Sequence, residues 1–340
     1  MEREIDVPLQ LKDISRETGE HIIEGRLHCP DEACQQEYPI LDGIPILVPS
    51  VRDFIRDHFE LLNARDDLGA ATESLLGDCA GPGSAYDYTR QMLSSYAWDH
   101  YSEFDPDETD SGDSTSVMCL RQLLERSGRC EGPLLDLGCA TGRHTFELAT
   151  HTDGLVLGID LNFAMLRVAS RALREGVVRY PRRRIGIAYD RRTFPVSFEG
   201  SERVDFWLCD AQALPLRGSQ CGGVAGMNVL DSVASPLALL QSIARVLGPL
   251  GTAYLACPYD WSGGVTPVES WIGGHSQRGE DGGAAESRLR SLLTSNDRPE
   301  ALRRLRLVDE FDDLTWKLRQ HDRSHTVYRL HGLIIRSESE

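Results

Sequence analysis

The chain has few of the features that mark membrane or secreted proteins. No stretch of the sequence approaches the ~20 uninterrupted apolar residues that cross a bilayer. Residues 1–6 are mostly charged and contain no apolar signal core. The nine cysteines are an odd number, and Cys29 and Cys34 are the one closely spaced pair, which argues against a disulfide framework. These absences predict a cytoplasmic protein with no membrane segment.

Positive charge is also scarce, because 36 basic residues face 53 acidic ones and the net charge is −17. Nucleic-acid binding relies on neutralising phosphates, so a nucleic-acid partner is not expected. One basic cluster stands out from this background and contains Arg179, Arg182, Arg183, Arg184, Arg191 and Arg192. It is either a solvated face balanced by nearby acids, or a clamp for a carboxylate or phosphate.

Between residues 134 and 160 the sequence follows the pattern of a strand, a tight turn, a helix and a second strand. The first apolar run ends at Asp136 and the second at Asp160, and Gly138 and Gly142 lie in the turn. This is the layout of a nucleotide-binding βαβ unit. Glycines let the turn's backbone approach a ligand, and the second acid is placed to hold ribose hydroxyls. The turn lacks the third glycine expected for nicotinamide binding.

Three further motifs follow in order along the chain. Residues 209–215 read Cys-Asp-Ala-Gln-Ala-Leu-Pro, residues 228–231 read Asn-Val-Leu-Asp, and residues 243–251 read Ile-Ala-Arg-Val-Leu-Gly-Pro-Leu-Gly. With the glycine turn, these motifs resemble those of class I S-adenosylmethionine (SAM)-dependent methyltransferases. Leu250 stands where that family has the first of two glycines. Four ordered motifs over about 120 residues are more specific than one glycine turn.

The resemblance implies an α/β, Rossmann-like methyltransferase sheet of order 3-2-1-4-5-7-6, with an antiparallel last strand and a helical lid. It implies SAM as the cofactor, with Asp160 at the ribose, Asp210 at the adenine and Asn228 near the donor sulfonium. Asp136 and Gly138 would lie beside the methionine part. The complete implied cofactor-binding set is Asp136, Gly138, Cys139, Ala140, Gly142, Asp160, Leu161, Asp210, Ala211, Asn228, Tyr96 and Tyr101.

An aromatic segment follows the fifth core strand and contains Tyr259, Trp261 and Trp271. Together with the 96–101 stretch and the glycine turn, it resembles the methyltransferase domain that ends ovothiol synthases, which methylates a thiohistidine imidazole nitrogen. The resemblance implies a small acceptor, and the candidate catalytic residues are Asn228, Tyr259, Trp261 and His100. Ordinary core packing is the alternative explanation for the aromatic residues.

Residues 1–49 resemble a Trm112-like zinc-ribbon module, which holds zinc through two cysteine pairs. Only Cys29 and Cys34 are present, so the site is incomplete and we expect no metal. Residues 50–115 are predicted as a helical lid (50–62 and 86–101) with an acidic linker, and residues 116–340 as the methyltransferase domain. The segment 63–85 is expected to be mobile, and 102–115 to be disordered or looped.

The leading hypothesis is a SAM-dependent methyltransferase that acts on a small molecule, at nitrogen or alternatively at oxygen or sulfur. An RNA or rRNA methyltransferase is the first alternative, and a catalytically silent scaffold or regulator is the second. Residues 176–202 are predicted as an insertion with one added strand, Ile185–Tyr189, and the final strands are expected near 305–311 and 326–335. The sequence indicates no oligomeric state.

Overall fold

The computed structural model describes residues 7–51, 54, 82–108, 112–128 and 130–338. The predicted helix at 50–62 and the predicted linker at 63–85 lie largely outside these ranges. The described helices are α1 (Ala85–Tyr101), α2 (Thr115–Ser127), α3 (Arg143–Ala149), α4 (Phe163–Glu175), α5 (Pro236–Val246) and α6 (Ala285–Thr294). None of the helices in these ranges is long and apolar enough to cross a membrane.

The described strands include a main sheet and one separate hairpin. The first half of the chain contains β1 (Gln10–Thr18), β2 (His21–His28), β3 (Glu37–Leu41), β4 (Ile44–Leu47), β5 (Leu134–Leu137) and β6 (Val156–Asp160). The second half contains β7 (Val177–Ile185), β8 (Ala188–Pro195), β9 (Val204–Cys209), β10 (Cys221–Met227), β11 (Leu247–Cys257), β12 (Leu305–His321) and β13 (Ser324–Ser337).

The main sheet has the order β1-β2-β3-β4-β9-β6-β5-β10-β11-β13-β12. From β9 to β12 this is the order 3-2-1-4-5-7-6 in the numbering of the predicted core. Strands β9, β6, β5, β10 and β11 are parallel, whereas β13 is antiparallel to both of its neighbours. The carboxyl ends of the five parallel strands therefore meet at one edge, where ligands of open α/β sheets bind.

The four N-terminal strands continue this sheet. Strand β4 pairs in parallel with β9 through Ile46 and Leu47, and Ile46 is fully buried. Asp42 and Gly43 form the β3–β4 turn with φ of +51° and +78°, as their sequence predicts. Across the described ranges, no group of three or more His, Cys, Asp or Glu residues is arranged to hold a metal ion.

The insertion folds as the β7–β8 hairpin, so the predicted strand Ile185–Tyr189 is wrong. Gly186 has φ of +55° and lies in the turn, where Ile185 pairs with Ala188. Local apolar character suggested a strand, but the glycine takes the left-handed conformation that reverses the chain. The hairpin packs against α1 through β7.

The arginine cluster of this hairpin is neutralised by protein carboxylates. Arg182 donates to Asp190 Oδ2 at 2.8 Å and to Glu108 Oε2 at 3.0 Å. Arg192 donates to Asp105 Oδ2 at 2.7 Å. These ion pairs support the charge-balanced interpretation at Arg182 and Arg192, whose guanidinium groups are engaged within the protein.

Asp105 and Glu108 belong to the acidic segment 102–115, for which the sequence predicts disorder or a loop. Its described residues form an ordered loop. Glu108 Oε2 also accepts from the Trp98 indole at 3.0 Å, and Asp105 is 4% exposed. Arginines distant in sequence provide the countercharge for these acids, and the loop alternative of the prediction is confirmed for the described residues.

The last two strands are longer than predicted. Beyond a register shift between Phe311 and Leu314, the β12–β13 hairpin continues and packs over α1 and β7. The apolar core lies on both faces of the sheet, with α1 to α4 on one face and α5 and α6 on the other. The extended hairpin therefore covers the same end of the sheet at which the parallel strands terminate.

Candidate cofactor and acceptor site

The turn between β5 and α3 requires glycine at two positions. Gly138 has φ of +71°, and a Cβ atom there would lie 2.9 Å from Val229 Cγ2. Gly142 has φ of +92°, and its Cβ would lie 2.6 Å from Ala169 Cβ. Both the backbone conformation and the close packing exclude other side chains. The turn therefore presents bare backbone at the carboxyl edge of the sheet.

Asp160, at the end of β6, fixes this turn. Its Oδ2 accepts from the Ala140 backbone N–H at 2.8 Å, and its Oδ1 accepts from the Asn162 N–H at 2.7 Å. Ala140 has φ of +48°, a conformation that a residue with a Cβ rarely adopts without such support. Burial raises the pKa of Asp160. Leu161, which follows it, is 46% exposed at the same edge.

Asp136 lies below the turn with one carboxylate oxygen unpaired. Its Oδ2 accepts from the Thr145 hydroxyl at 2.7 Å, whereas Oδ1 is buried and has no hydrogen-bond partner in the described part of the chain. Burial raises the pKa of this carboxyl group to about 7. A buried acceptor without a donor is unfavourable, so this oxygen is suited to a ligand that brings an N–H group or a positive charge.

Asn228 repeats this feature at the end of β10. It has φ of +57°, and its backbone N–H donates to the Ala256 carbonyl at 2.8 Å. Its buried side-chain Oδ1 has no partner among the residues that the structure describes. At the end of β9, Asp210 Oδ1 accepts from the Gln212 backbone N–H at 2.9 Å, and Ala211 is buried.

Helix α1 supports the turn from behind. The Tyr101 hydroxyl donates to the Thr141 carbonyl at 2.5 Å, and the Arg143 N–H donates to His100 Nδ1 at 3.3 Å. Burial lowers the pKa of His100 well below its usual range, so the ring is neutral. The neutral ring accepts an N–H at the start of α3, where helix donors lack partners within the helix. Cys139 is also buried, with its N–H on the Ile159 carbonyl.

Tyr96 extends from α1 towards the strand ends. Its pKa is raised by burial and then by the negative charges of Asp160 and Asp231 and by Tyr328. The phenol is therefore protonated at neutral pH. The backbone carbonyl of Tyr96 accepts from the Thr141 hydroxyl at 3.4 Å and its ring lies 6.1 Å from the Trp316 ring, so Tyr96 lies between the turn and the β12–β13 hairpin.

The loop after β11 is anchored across the carboxyl edge. Asp231 Oδ2 accepts from the Asp260 N–H at 2.7 Å, and the Trp271 indole donates to the Thr266 carbonyl at 2.8 Å. Trp261 stacks on Trp271 with ring centroids 5.9 Å apart and an interplanar angle of 15°. The buried Trp261 Nε1 has no hydrogen-bond partner within the described ranges.

Tyr259, in this loop, begins a line of polar groups. It has φ of +56°, and its hydroxyl donates to His331 Nδ1 at 2.6 Å. His331 Nε2 lies 3.2 Å from Glu310 Oε2, and a carboxylate can only accept, so the His331 proton is on Nε2. Arg290 donates to the other oxygen of Glu310 at 2.7 Å and lowers the pKa of that carboxyl group.

The core of the chain is similar to a known protein family. Residues 135–255 match the family model described as a methyltransferase domain. This segment resembles a methyltransferase domain. Its cofactor is S-adenosylmethionine, for which the glycine turn and the unpaired Asp136 oxygen are suited. No curated protein matches the sequence of the chain.

Several solved structures resemble the methyltransferase domain and its surroundings. The [4+2]-cyclase SpnF is 18% identical, with 79% of this chain and 97% of that chain covered and a TM-score of 0.45. A SAM-dependent methyltransferase from Methanosarcina mazei is 19% identical, with 64% and 97% covered and a TM-score of 0.40. Haemonchus contortus phosphoethanolamine N-methyltransferase 2 is 18% identical, with a TM-score of 0.35. The match covers 50% of this chain and 35% of that one.

The predicted residues of the methyltransferase domain fall into two groups. One group lies at the carboxyl edge and contains Asp136, Gly138, Ala140, Gly142, Asp160, Leu161, Asp210, Ala211 and Asn228. The other supports the turn from behind and contains Cys139, His100 and Tyr101, which hydrogen-bond to the protein backbone and, for His100, to the Thr141 hydroxyl. Trp261 and Tyr259 lie in the loop after β11, and Tyr259 is directed towards β13.

Sequence reasoning missed several residues near this edge. Tyr328 donates to Asp260 Oδ2 at 3.0 Å, and Trp316 donates to Asp99 Oδ2 at 2.9 Å. Trp316 lies beyond the predicted end of its strand at residue 311, whereas Tyr328 lies within the predicted strand 326–335. His331 pairs with Tyr259, which lies 72 residues away in the sequence. No local pattern identifies such a pair.

Proposed function

We propose that the chain transfers the SAM methyl group to a nitrogen atom of a small molecule, with an imidazole-bearing compound as the first acceptor to test. The observation that carries the proposal is the buried, unpaired Oδ1 of Asp136 beside a turn in which both glycines are obligatory. This arrangement lacks only a donor group, which a bound ligand would supply.

The roles proposed for the edge residues follow from their placement. Asp136 and Gly138 would hold the methionine part, and Asp160 and Leu161 the ribose. Asp210 and Ala211 would contact the adenine. When bound, the cofactor supplies an electrophilic methyl group on a cationic sulfonium, and carbonyl oxygens such as Asn228 Oδ1 favour a neighbouring cation. His100 and Tyr101 would act indirectly, by fixing the turn.

A small acceptor is supported by what covers the carboxyl edge. Helix α1, the β12–β13 hairpin and the loop after β11 all meet there, and their contacts join Tyr96, Trp316, Tyr328 and Asp260. Methyl transfer needs chiefly alignment and exclusion of water, which a covered site provides. If the acceptor loses a proton, Tyr259 is the proposed group to take it, because its own proton can pass to His331.

The RNA methyltransferase alternative is not favoured. Arg182 and Arg192, from the one basic cluster, are paired with protein carboxylates on a chain of net charge −17. A surface that binds phosphates would need those guanidinium groups free. A measurement of SAM binding distinguishes the proposed enzyme from the scaffold alternative.

Calorimetry with SAM tests the proposal. We expect micromolar binding by the wild type and at least ~10-fold weaker binding by Asp160→Asn, which weakens the support of the turn. Asp205→Asn is the matched control, because Asp205 is an exposed carboxylate on β9 away from the turn. Mass spectrometry then follows methylation of imidazole, histamine and 5-thiohistidine. A folded wild type that does not bind SAM would contradict the proposal and favour the scaffold.

A further inference from the structure

We propose that Tyr96, Trp316, Tyr328 and Asp260 form a recognition site for a positively charged group on the acceptor, such as an ammonium. The inference rests on the proposed function and narrows its substrate class to small cations. We call these four residues the aromatic–carboxylate site. They come from α1, β12, β13 and the loop after β11.

The ring wall of the site is built by strand register. Trp316 and Tyr328 are directly opposed on β12 and β13, and their rings stack with centroids 5.1 Å apart at 22°. The Tyr96 ring lies 6.1 Å from the Trp316 ring. Trp316 is buried, whereas Tyr96 and Tyr328 are only partly buried. Two partly buried tyrosines therefore flank a buried tryptophan.

Carboxylates add negative potential to these rings. The Tyr328 hydroxyl donates to Asp260 Oδ2 at 3.0 Å, and burial together with Asp260 raises the pKa of Tyr328 to about 12. Asp260 is exposed and is held in place through its backbone N–H, which donates to the buried Asp231. On the other side, Asp99 accepts from the Trp316 indole. Aromatic faces beside carboxylates attract cations more strongly than either group alone.

Neighbouring protein cations are directed to other partners. Lys317 Nζ lies 5.9 Å from the centre of the Trp98 ring, and Arg319 donates to the Arg183 carbonyl at 2.9 Å. Core packing accounts for buried Trp316, but it does not account for a partly buried tyrosine hydrogen-bonded to an exposed aspartate. A cation from solution is the complement of that pair.

The site is also adjacent to the cofactor edge. The backbone carbonyl of Tyr96 accepts from the hydroxyl of Thr141 in the glycine turn at 3.4 Å, and the Tyr96 ring lies 6.1 Å from the Trp316 ring. A ligand bound at the aromatic–carboxylate site would therefore lie next to the proposed cofactor position. The aromatic–carboxylate site would hold the charged group of the ligand, while a neighbouring nitrogen atom of the same ligand faces the carboxyl edge of the sheet.

The test compares two probes with the same ring and opposite tails, histamine and 3-(imidazol-4-yl)propionate. Each is titrated by calorimetry into the full-length protein saturated with S-adenosylhomocysteine. We expect histamine to bind at least ~10-fold more tightly, the scale of a cation–π contact reinforced by a carboxylate. Tyr328→Leu and Asp260→Asn should remove this preference. The control variants Tyr88→Leu and Asp309→Asn, which change an exposed ring and an exposed carboxylate outside the site, should keep it.

A second readout is local and independent of methyl transfer. The indole N–H resonance of Trp316 should shift with histamine, whereas that of Trp207 on β9 should not. Equal affinity for the two probes, an unchanged preference in both site variants, or no histamine binding by the folded protein would overturn the inference. Preferential binding without methylation would retain the site and contradict the imidazole acceptor. A wild type that does not bind S-adenosylhomocysteine would contradict the proposed function, and the probes would then be compared without it.

Discussion

The two edges of the central sheet are formed by the same parallel strands but differ in how their polar groups are satisfied. At the carboxyl edge, Asp136 Oδ1, Asn228 Oδ1 and Trp261 Nε1 are buried without partners among the described residues. At the amino edge there is a cavity of about 380 Å³, yet the Tyr254 hydroxyl in its wall lies 2.6 Å from Ser127 Oγ and 2.8 Å from Cys130 Sγ.

Backbone strain is present at both edges and so does not separate them. Ala140, Asn228 and Tyr259 have positive φ at the carboxyl edge, and Ser219 and Leu250 have it at the amino edge. The difference lies in the unpaired polar atoms. A cavity with satisfied walls needs no ligand, whereas buried acceptors without donors are stabilised when a ligand supplies one. We therefore propose the carboxyl edge as the binding edge.

Asp136→Asn is expected to have the largest effect of the substitutions that compare the two edges. The pKa of Asp136 is raised to about 7 in the folded protein, whereas an unfolded aspartate titrates near its ordinary 3.8. The native state thus binds the extra proton between these values, and stability from this group falls as pH rises through that window. A neutral amide should raise the free energy of unfolding by roughly 2–3 kcal/mol at pH 8 and by little near pH 4.

The same variant should bind SAM at least ~10-fold more weakly. Urea unfolding at pH 8, 6 and 4.5 and calorimetry with SAM measure the two effects. A variant that is less stable than the wild type at pH 8 would contradict the predicted effect of the raised pKa of Asp136. A variant that binds SAM as well as the wild type would contradict a role of the unpaired oxygen in cofactor binding.

Tyr259→Phe and Tyr254→Phe compare one hydroxyl at each edge. Removing the Tyr259 hydroxyl should lower the kcat of methyl transfer to an imidazole probe by about 10²-fold with little change in KM, because the link to His331 is lost. Removing the Tyr254 hydroxyl should cost about 1 kcal/mol of stability and leave kcat unchanged. Kinetics over pH 6–9 measure the kcat of each variant, and thermal melting measures its stability. Equal losses of kcat in both variants would contradict the proposed difference between the two edges.

Leu250→Gly should have the smallest effect. Leu250 is 67% exposed with φ of +62°, at the position where the resembling family has glycine. Glycine removes the conformational cost that a non-glycine residue pays at positive φ, but its greater freedom in the unfolded chain offsets part of this gain. The net effect should stabilise the protein by roughly 0.5–1 kcal/mol. Leu250→Ala keeps the strain and should show no gain in urea unfolding. A gain in both variants would point to the exposed side chain rather than to the backbone.

The cofactor half of the site was largely predictable because its signals are local. Gly138, Gly142 and Asp160 follow from a strand–turn–helix–strand pattern in which backbone conformation dictates the residue type. The acceptor half was predicted less well. Tyr259 and Trp261 were singled out from one aromatic segment, but Trp316, Tyr328 and His331 were not. Trp316 lies beyond the predicted end of its strand, and Tyr328 and His331 acquire their partners only through contacts distant in sequence.

The sequence by itself determined the order of the core elements, the turn that must be glycine and the acids that end β5 and β6. Only the tertiary structure decided that β4 joins β9, that acidic residues 105 and 108 meet the insertion's arginines, and that Tyr328 meets Asp260 from 68 residues away. The physical reason is that turn conformation and side-chain periodicity act between near neighbours in the chain. Contacts between strands and loops depend instead on sheet register and on how far a hairpin extends, which long-range packing sets.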